Sequence, residues 1–341
     1  MAHNELPFLE SLAGWSTLAH GRRIYQTITG GFSSGTGPNG QNEMQGALTK
    51  TLLGSGYSDL YIGLRMRWSG ASALEIISAG SRFPDSSDYR LAILTDGRIT
   101  SDADANNANS ATQAFTTFTA VANGVYYVEM RVQTSMSTDD MTVLIDAWVN
   151  NQHLGQHTHA VNNTSNPIAN GLIQRIVLGT QTGNSDFFSD YYISQTGPFG
   201  DGRVIALFPN GDGSSSDWLS SPTGANFEKV DEHDPDDLTT YNYTSTVGAI
   251  DEYELEDMPS GVAAIKAVEA HWCISKSDAG VCELVGSLVN ASASVDDDDT
   301  AYPSEITWFY KRNGYTLSPF TASAFTTSEV NGLKLKIERT A

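Results

Sequence analysis

At 341 residues, with 40% hydrophobic side chains, the chain is long enough for two domains that each bury a core. Its 40 acidic against 19 basic residues give a net charge of −21, which repels phosphate backbones and excludes nucleic acid as a partner. With 31 Gly and many Ser, Thr, Asn and Asp the composition favours strands and turns, and no apolar run approaches the roughly 18 residues of a membrane-spanning helix.

The charge is uneven. Residues 1–198 hold 10 basic and 16 acidic side chains, a net of −6, whereas the rest hold 9 and 24, a net of −15. Cations or a basic neighbouring protein suit such a surface. The opening M-A-H-N-E-L-P-F has neither a basic region nor a long apolar run, so the expectation is synthesis in the cytoplasm without a signal peptide and no insertion into a membrane.

In chain order, residues 8–15 (F-L-E-S-L-A-G-W) and the glycine cluster at 30–40 read as an edge strand and loops. The first firm strand spans 60–68, where Leu60, Ile62, Leu64, Met66 and Trp68 alternate with Tyr61, Gly63, Arg65 and Arg67. One face is buried and the other carries two arginines. Shorter strands follow at 73–79 and 89–94, and Asp96-Gly97 supplies a turn able to take positive φ, making 89–99 a hairpin. Residues 101–124 are small and polar, a long loop or edge excursion. Alternation returns at 125–132, with Tyr126, Val128, Met130 and Val132 on one face, and at 141–149 with Asn150-Asn151 as its turn. Residues 172–178 and 187–193 close the series. Short strands joined by polar turns predict an antiparallel sandwich or jelly roll.

The stretch 197–218, G-P-F-G-D-G-R-V-I-A-L-F-P-N-G-D-G-S-S-S-D-W, reads as the joint between a domain at 1–198 and a second at 199–341. Its apolar run, 204–208, is expected to be the first strand of the second domain, with Val204, Leu207 and Phe208 buried and the joint stiff. Arg203, Pro209, Asp212 and Trp218 flank that run.

Beyond the joint, Tyr253, Leu255 and Met258 point one way between acids, which suggests a strand or turn with a solvated acidic face. Residues 263–274 form a strong strand, 281–289 is expected to pair back across the turn at 277–280, 306–311 is strand-like, and 329–337 ends the series. This is a second, acidic β-sandwich domain, and the fold class is all-β. Cys273 and Cys282 flank the 277–280 turn. A disulfide is geometrically admissible there, while a reducing compartment favours two thiols.

Several segments recur together in an order worth noting: Phe8-x-Glu10 with Trp15, the strand–Asp96-Gly97–strand unit, V-Y-Y-V-E-M-R-V at 125–132, V-L-I-D-A-W-V-N-N at 143–151, I-V-L-G at 176–179 and F-F-S-D-Y-Y-I at 187–193. In this order they resemble concanavalin A-like lectin/glucanase (laminin G-like) jelly rolls, in the variant found in virion structural proteins of tailed phages. That variant carries paired acids in its last strand, where this chain has Asp190 alone. The resemblance continues through Gly202-Arg203-Val204, Pro209, Gly211-Asp212-Gly213, Trp218, Val230-Asp231-Glu232, Gly248, Asp251, Tyr253, Leu255 and Glu329-Val330-Asn331, while Phe320 stands where the family more often has Trp.

Chemistry-bearing groups are few. His153, His157 and His159 form H-x-x-x-H-x-H around a hairpin, a metal candidate set weighed against a solvated loop. Asp231, Glu232, Asp234, Asp236 and Asp237, and the run Asp296, Asp297, Asp298 and Asp299, could hold Ca²⁺, although they lack the alternating spacing that wraps one ion. The stretch 251–257, D-E-Y-E-L-E-D, has the wrong order for the acid pair of a glycosidase. No G-x-S-x-G, phosphate loop or H-E-x-x-H is present, so no catalytic residue and no resident cofactor are expected. Tyr126, Tyr127, Trp148, Tyr191 and Tyr192 could stack on sugars or fill a core.

The resemblance implies a non-enzymatic structural protein of a tailed-phage virion, exterior and tail-, baseplate- or fibre-associated, with host-surface glycan, other virion proteins and copies of itself as partners. A capsid decoration protein is the alternative, and a free lectin or glycan-active enzyme is the alternative of another class.

Overall fold

The computed structural model describes residues 57–80, 88–105, 108–109, 112–136, 140–162, 173, 175–178, 187–195, 197–231, 239–277, 280–291, 293–296 and 309–341, together with short strand backbones in the first 51 residues. The chain divides into two compact units, Met1–Val204 and Ile205–Ala341. That boundary lies within the joint at 197–218.

The first unit holds β1 (Phe8–Glu10), β2 (Thr27–Thr29), β3 (Phe32–Ser33), β4 (Glu43–Met44), β5 (Ala47–Thr51), β6 (Asp59–Arg67), β7 (Leu74–Gly80), β8 (Asp88–Ile93), β9 (Arg98–Ala105), β10 (Ala108–Asn109), β11 (Gln113–Thr119), β12 (Val125–Met136), β13 (Asp140–Val149), β14 (Gln152–Asn162), β15 (Arg175–Leu178) and β16 (Phe187–Ser194). They form two eight-stranded antiparallel sheets. The first has the order β14-β13-β12-β6-β16-β4-β3 with β1 beside β16, and the second β10-β9-β8-β7-β15-β5-β2 with β11 beside β9.

The alternation at 60–68 is what brings these sheets face to face. Leu60, Ile62, Leu64 and Met66 of β6, with Val128, Met130 and Val132 of β12 and Val143 and Ile145 of β13, form one buried layer. Leu74, Ile76, Ile77, Tyr89, Leu91 and Ile93 of the second sheet form the other. Each such aliphatic side chain contributes about 1.5–3 kcal/mol on burial. The first unit is a two-sheet antiparallel β-sandwich.

Both expected turns are present. Gly97 sits at φ 83° between β8 and β9, and Asn150 and Asn151, at φ 48° and 66°, join β13 to β14 as a two-residue turn of the primed kind. Residues 101–124, read as a long loop or edge excursion, are the edge excursion: they carry the end of β9, then β10 and β11. β11 pairs with β9 alone and buries Phe115 while leaving several neighbours in solvent, so an edge strand explains the polar composition.

The second unit holds β17 (Pro209–Ser216), β18 (Leu219–Ser221), β19 (Tyr241–Tyr243), β20 (Ile250–Leu255), β21 (Val268–Ile274), β22 (Leu284–Asn290), β23 (Ala293–Asp296), β24 (Phe309–Tyr315) and β25 (Leu333–Arg339). A five-stranded sheet, β17-β20-β25-β22-β23, is joined by the ribbons β18-β19 and β21-β24. Ala270, Trp272 and Ile274 of β21 share one core with Leu284 and Leu288 of β22 and Ile337 of β25. A Cβ at Gly286 would come within 2.6 Å of the Trp272 ring, so this glycine seats the indole.

Four expectations for this unit are corrected. Residues 204–208 form no strand: Ile205 and Ala206 are exposed, and Val204, Leu207 and Phe208 are half-buried. Strand pairing starts at Pro209, opposite Leu255, and of this run the Phe208 carbonyl accepts from the Glu256 N–H at 2.9 Å beside the end of that ladder. β21 and β22 do not form a hairpin; β21 pairs with β24 and β22 with β25 and β23. Each carries an apolar face, and facing them across a core buries both where edge pairing would not. The acidic face of β20 is only partly solvated: Glu254 is exposed, but Asp251 and Glu252 are buried. The last segment begins as a helical turn, Thr327–Val330, capped by Thr326, before β25.

Candidate functional site

The side chains of β6, β12, β13, β14 and β16 that point away from the core make the outer face of the first sheet. Strand register sets which of them meet. One row runs Ser194, Tyr61, Arg131, Asp146, Gln156, and the next runs Tyr192, Gly63, Glu129, Trp148, His153.

Aromatic rings and hydrogen-bonding groups are interleaved here. The Tyr61 and Trp148 rings lie 6.5 Å apart, and Trp148 lies 4.9 Å from the His153 ring. The Arg131 guanidinium sits 5.3 Å above Tyr61. It donates from Nε and Nη2 to the two oxygens of Asp59, at 2.9 and 2.6 Å, and its Nη1 lies 3.9 Å from Asp146. Asp59 thus raises the already high pKa of this guanidinium, against the cost of partial burial. Asp146 in turn accepts from Gln156 at 3.0 Å and lies 3.2 Å from His153 Nε2. Tyr61 and Trp148 are half-buried, and His153 and Gln156 are exposed. Fixed rings beside a fixed fan of donors and acceptors can stack on a pyranose and bond its hydroxyls.

The three candidate histidines are split. Gly155, at φ 130°, lies where the β13–β14 register shifts, and this bulge turns His153 outward but His157 and His159 inward. Ser101 Oγ bridges the latter two, 2.7 Å from His157 Nδ1 and 3.0 Å from His159 Nε2, and Phe115 stacks on His157 at 3.9 Å. Burial holds both imidazoles below their usual range. Among the described residues no group of three or more His, Cys, Asp or Glu is placed to hold a metal. Of the acidic candidates, residues 232–237 and 297–299 and the side chain of Asp296 lie outside the described residues; Asp231 is exposed.

The joint residues of the second unit serve its architecture. Asp251 accepts from the Trp218 N–H at 2.9 Å, Asn226 Nδ2 at 2.8 Å and the Tyr253 hydroxyl at 2.8 Å. Burial pushes this carboxyl up, and those donors oppose the shift. Asp212 accepts from the Phe227 N–H at 2.8 Å. Pro209 opens β17, and Arg203 is exposed. Cys273 and Cys282 are both half-buried, and neither is in a disulfide.

Trp148 was among the sequence candidates, but Tyr61, Asp59, Arg131, Asp146 and Gln156 were not. Their only signal was polarity at alternate positions of strands whose other face is apolar. Tyr127 and Tyr192 are buried, and Tyr126 packs against the core.

No known protein family matches the chain, and no curated protein matches it in sequence. Among solved structures it is similar to alginate lyase vAL-1 from Chlorella virus, at 9% identity over 52% of this chain and 96% of that one, with a TM-score of 0.39. It is also similar to sheep galectin-11 in complex with glycerol, at 11% identity over 44% and 97%, TM-score 0.27. CG-16, a homodimeric agglutinin from chicken liver, matches at 11% over 43% and 99%, TM-score 0.29. By name these structures span a lyase and lectins alike.

Proposed function

We propose that this protein is a non-enzymatic structural component of the exterior of a tailed-phage particle, and that the outer face of its first sheet contacts host-surface glycan. The observation that carries the glycan contact is the ring series Tyr61–Trp148–His153 beside the wired polar set Arg131, Asp146 and Gln156. The ordered residues shared with tailed-phage virion proteins support the particle setting. The acidic second unit suits attachment to a basic neighbour in the particle.

A lyase on this face would need a cation to neutralise a uronate carboxyl. Arg131 is already claimed by Asp59 and Asp146, and Arg65 lies 3.4 Å from Asp190 and also pairs with Asp201. The face therefore favours binding without turnover.

The test combines two measurements. Purified particles of the source phage should contain the chain at a fixed copy number by quantitative mass spectrometry. The purified protein should bind glycans on an array, and Trp148→Ala should lose that binding while keeping its circular dichroism spectrum. Absence from particles would sink the virion reading; binding unchanged in Trp148→Ala would sink the glycan surface.

A further inference from the structure

The row Tyr192, Gly63, Glu129, Trp148, His153 is open at one end and filled at the other. Residues 197–202, which leave the first sheet after β16, lie back across its outer face as a strap. Phe199 stacks on Tyr192 at 4.4 Å with the rings 14° from parallel, and its N–H donates to the Tyr192 hydroxyl at 3.0 Å. The Gly200 N–H donates to Glu129 at 2.9 Å, and the Asp201 N–H donates to Asn151 at 2.6 Å. Arg65 clasps the far end, donating to the Gly202 carbonyl at 3.2 Å and pairing with the Asp201 carboxylate.

Tyr127, Glu129 and Tyr192 are consequently sealed, each at most 3% exposed. Gly63 makes room for this arrangement, because a Cβ there would fall 2.2 Å from the Tyr192 ring. Burial raises the pKa of both tyrosines, so the seat keeps neutral phenols beside Glu129, which also accepts from Tyr192. A carboxylate taken out of water needs such donors.

The strap occupies the place where a saccharide chain would continue. Trp148 and Glu129 are register partners, so a sugar stacked on Trp148 meets Gly200 on its β12 side. From Glu129 to Tyr192 is two strand spacings, about 10 Å of the row. We propose that the strap is an end-stop that makes this face select the terminus of a saccharide chain over its interior, with Phe199 and Gly200 as the selecting residues. The proposal rests on the glycan reading of the same face.

Binding of a ladder of neutral gluco-, galacto- and N-acetylglucosamine oligosaccharides, from di- to hexasaccharide, tests it. Neutral probes suit a face whose arginines are already paired. In the wild type, affinity should level off after the shortest members. In Phe199→Ala/Gly200→Pro, which removes the stacked ring and the N–H on Glu129, the longest members should bind up to about tenfold tighter than the disaccharide, the scale of one added ring contact. Phe199→Ala alone, the milder variant if the double one misfolds, should shift in the same direction. Equal length dependence in folded wild type and variants would overturn the end-stop while leaving the glycan reading intact. Failure of every probe to bind any of the proteins would overturn the glycan reading itself, and the end-stop with it.

Discussion

Trp148 and Glu129 face each other directly across the β12–β13 ladder, yet their surroundings differ completely. The Trp148 indole is half-buried with the exposed His153 ring 4.9 Å away, whereas Glu129 is sealed and accepts from Gly200 and Tyr192. One row of a sheet thus offers a stacking surface at one end and a closed seat at the other.

The Asp59–Arg131 pair should set the charge preference of the open end. Asp59→Asn would remove a bidentate partner from Arg131 and cost about 1 kcal/mol, given that both side chains keep some solvent access. Urea unfolding measures that loss. The same variant should gain retention of uronate oligosaccharides relative to neutral ones, and no unsaturated products should form with either protein. An unchanged preference would remove Asp59 from this role.

Acid should loosen the edge where β9 of one sheet meets β14 of the other. Burial lowers the imidazole pKa of His157 and His159, and for His159 the neighbouring His157 adds to the effect. A histidine with a folded pKa below its unfolded value of about 6.5 binds fewer protons when folded. Its contribution is therefore full above about pH 6.5 and falls as pH drops through that value toward the folded pKa. The Tm should fall between about pH 6.5 and 5.5 in the wild type and fall less in the His157→Gln/His159→Gln double variant. Parallel profiles would exclude the pair as the source.

Gly286→Val should destabilise the second unit by about 1–3 kcal/mol, because the added carbons must displace the Trp272 indole from a packed core. Calorimetry on the full chain would show a lowered transition, and altered fluorescence of a folded protein would indicate a moved indole. Wild-type stability would mean that the indole has room to shift.

Asp251→Ala should cost about 3 kcal/mol, since it strands the Trp218 N–H, the Asn226 amide and the Tyr253 hydroxyl in a buried site. Asp251→Asn should be milder, because it keeps an acceptor. Equal losses for the two would show that charge, not donor satisfaction, holds the site.

Much of the sandwich was legible in the sequence because its signals are local. Leu60, Ile62, Leu64 and Met66 alternate with polar residues, and that period alone assigns them to the buried side of β6. Asn150-Asn151 and Asp96-Gly97 mark turns because few other residues accept positive φ. The apolar run at 204–208 misled for the converse reason: hydrophobicity shows what prefers burial, not whether a ladder lies alongside to make a strand.

The sequence by itself determined the fold class, the core faces of β6, β12 and β13, and the turns at 96–97 and 150–151, all consequences of spacing along one strand or across one turn. Tertiary structure alone decided which polar residues meet. Asp59 reaches Arg131, and Glu129 lies under Gly200, across separations of about 70 residues, through register set by the whole sheet. The bulge at Gly155 sends His153 to one face and His157 and His159 to the other. β21 and β22 lie in different layers because their apolar faces bury each other. Such juxtapositions depend on pairing and packing over long range, and no local pattern carries that information.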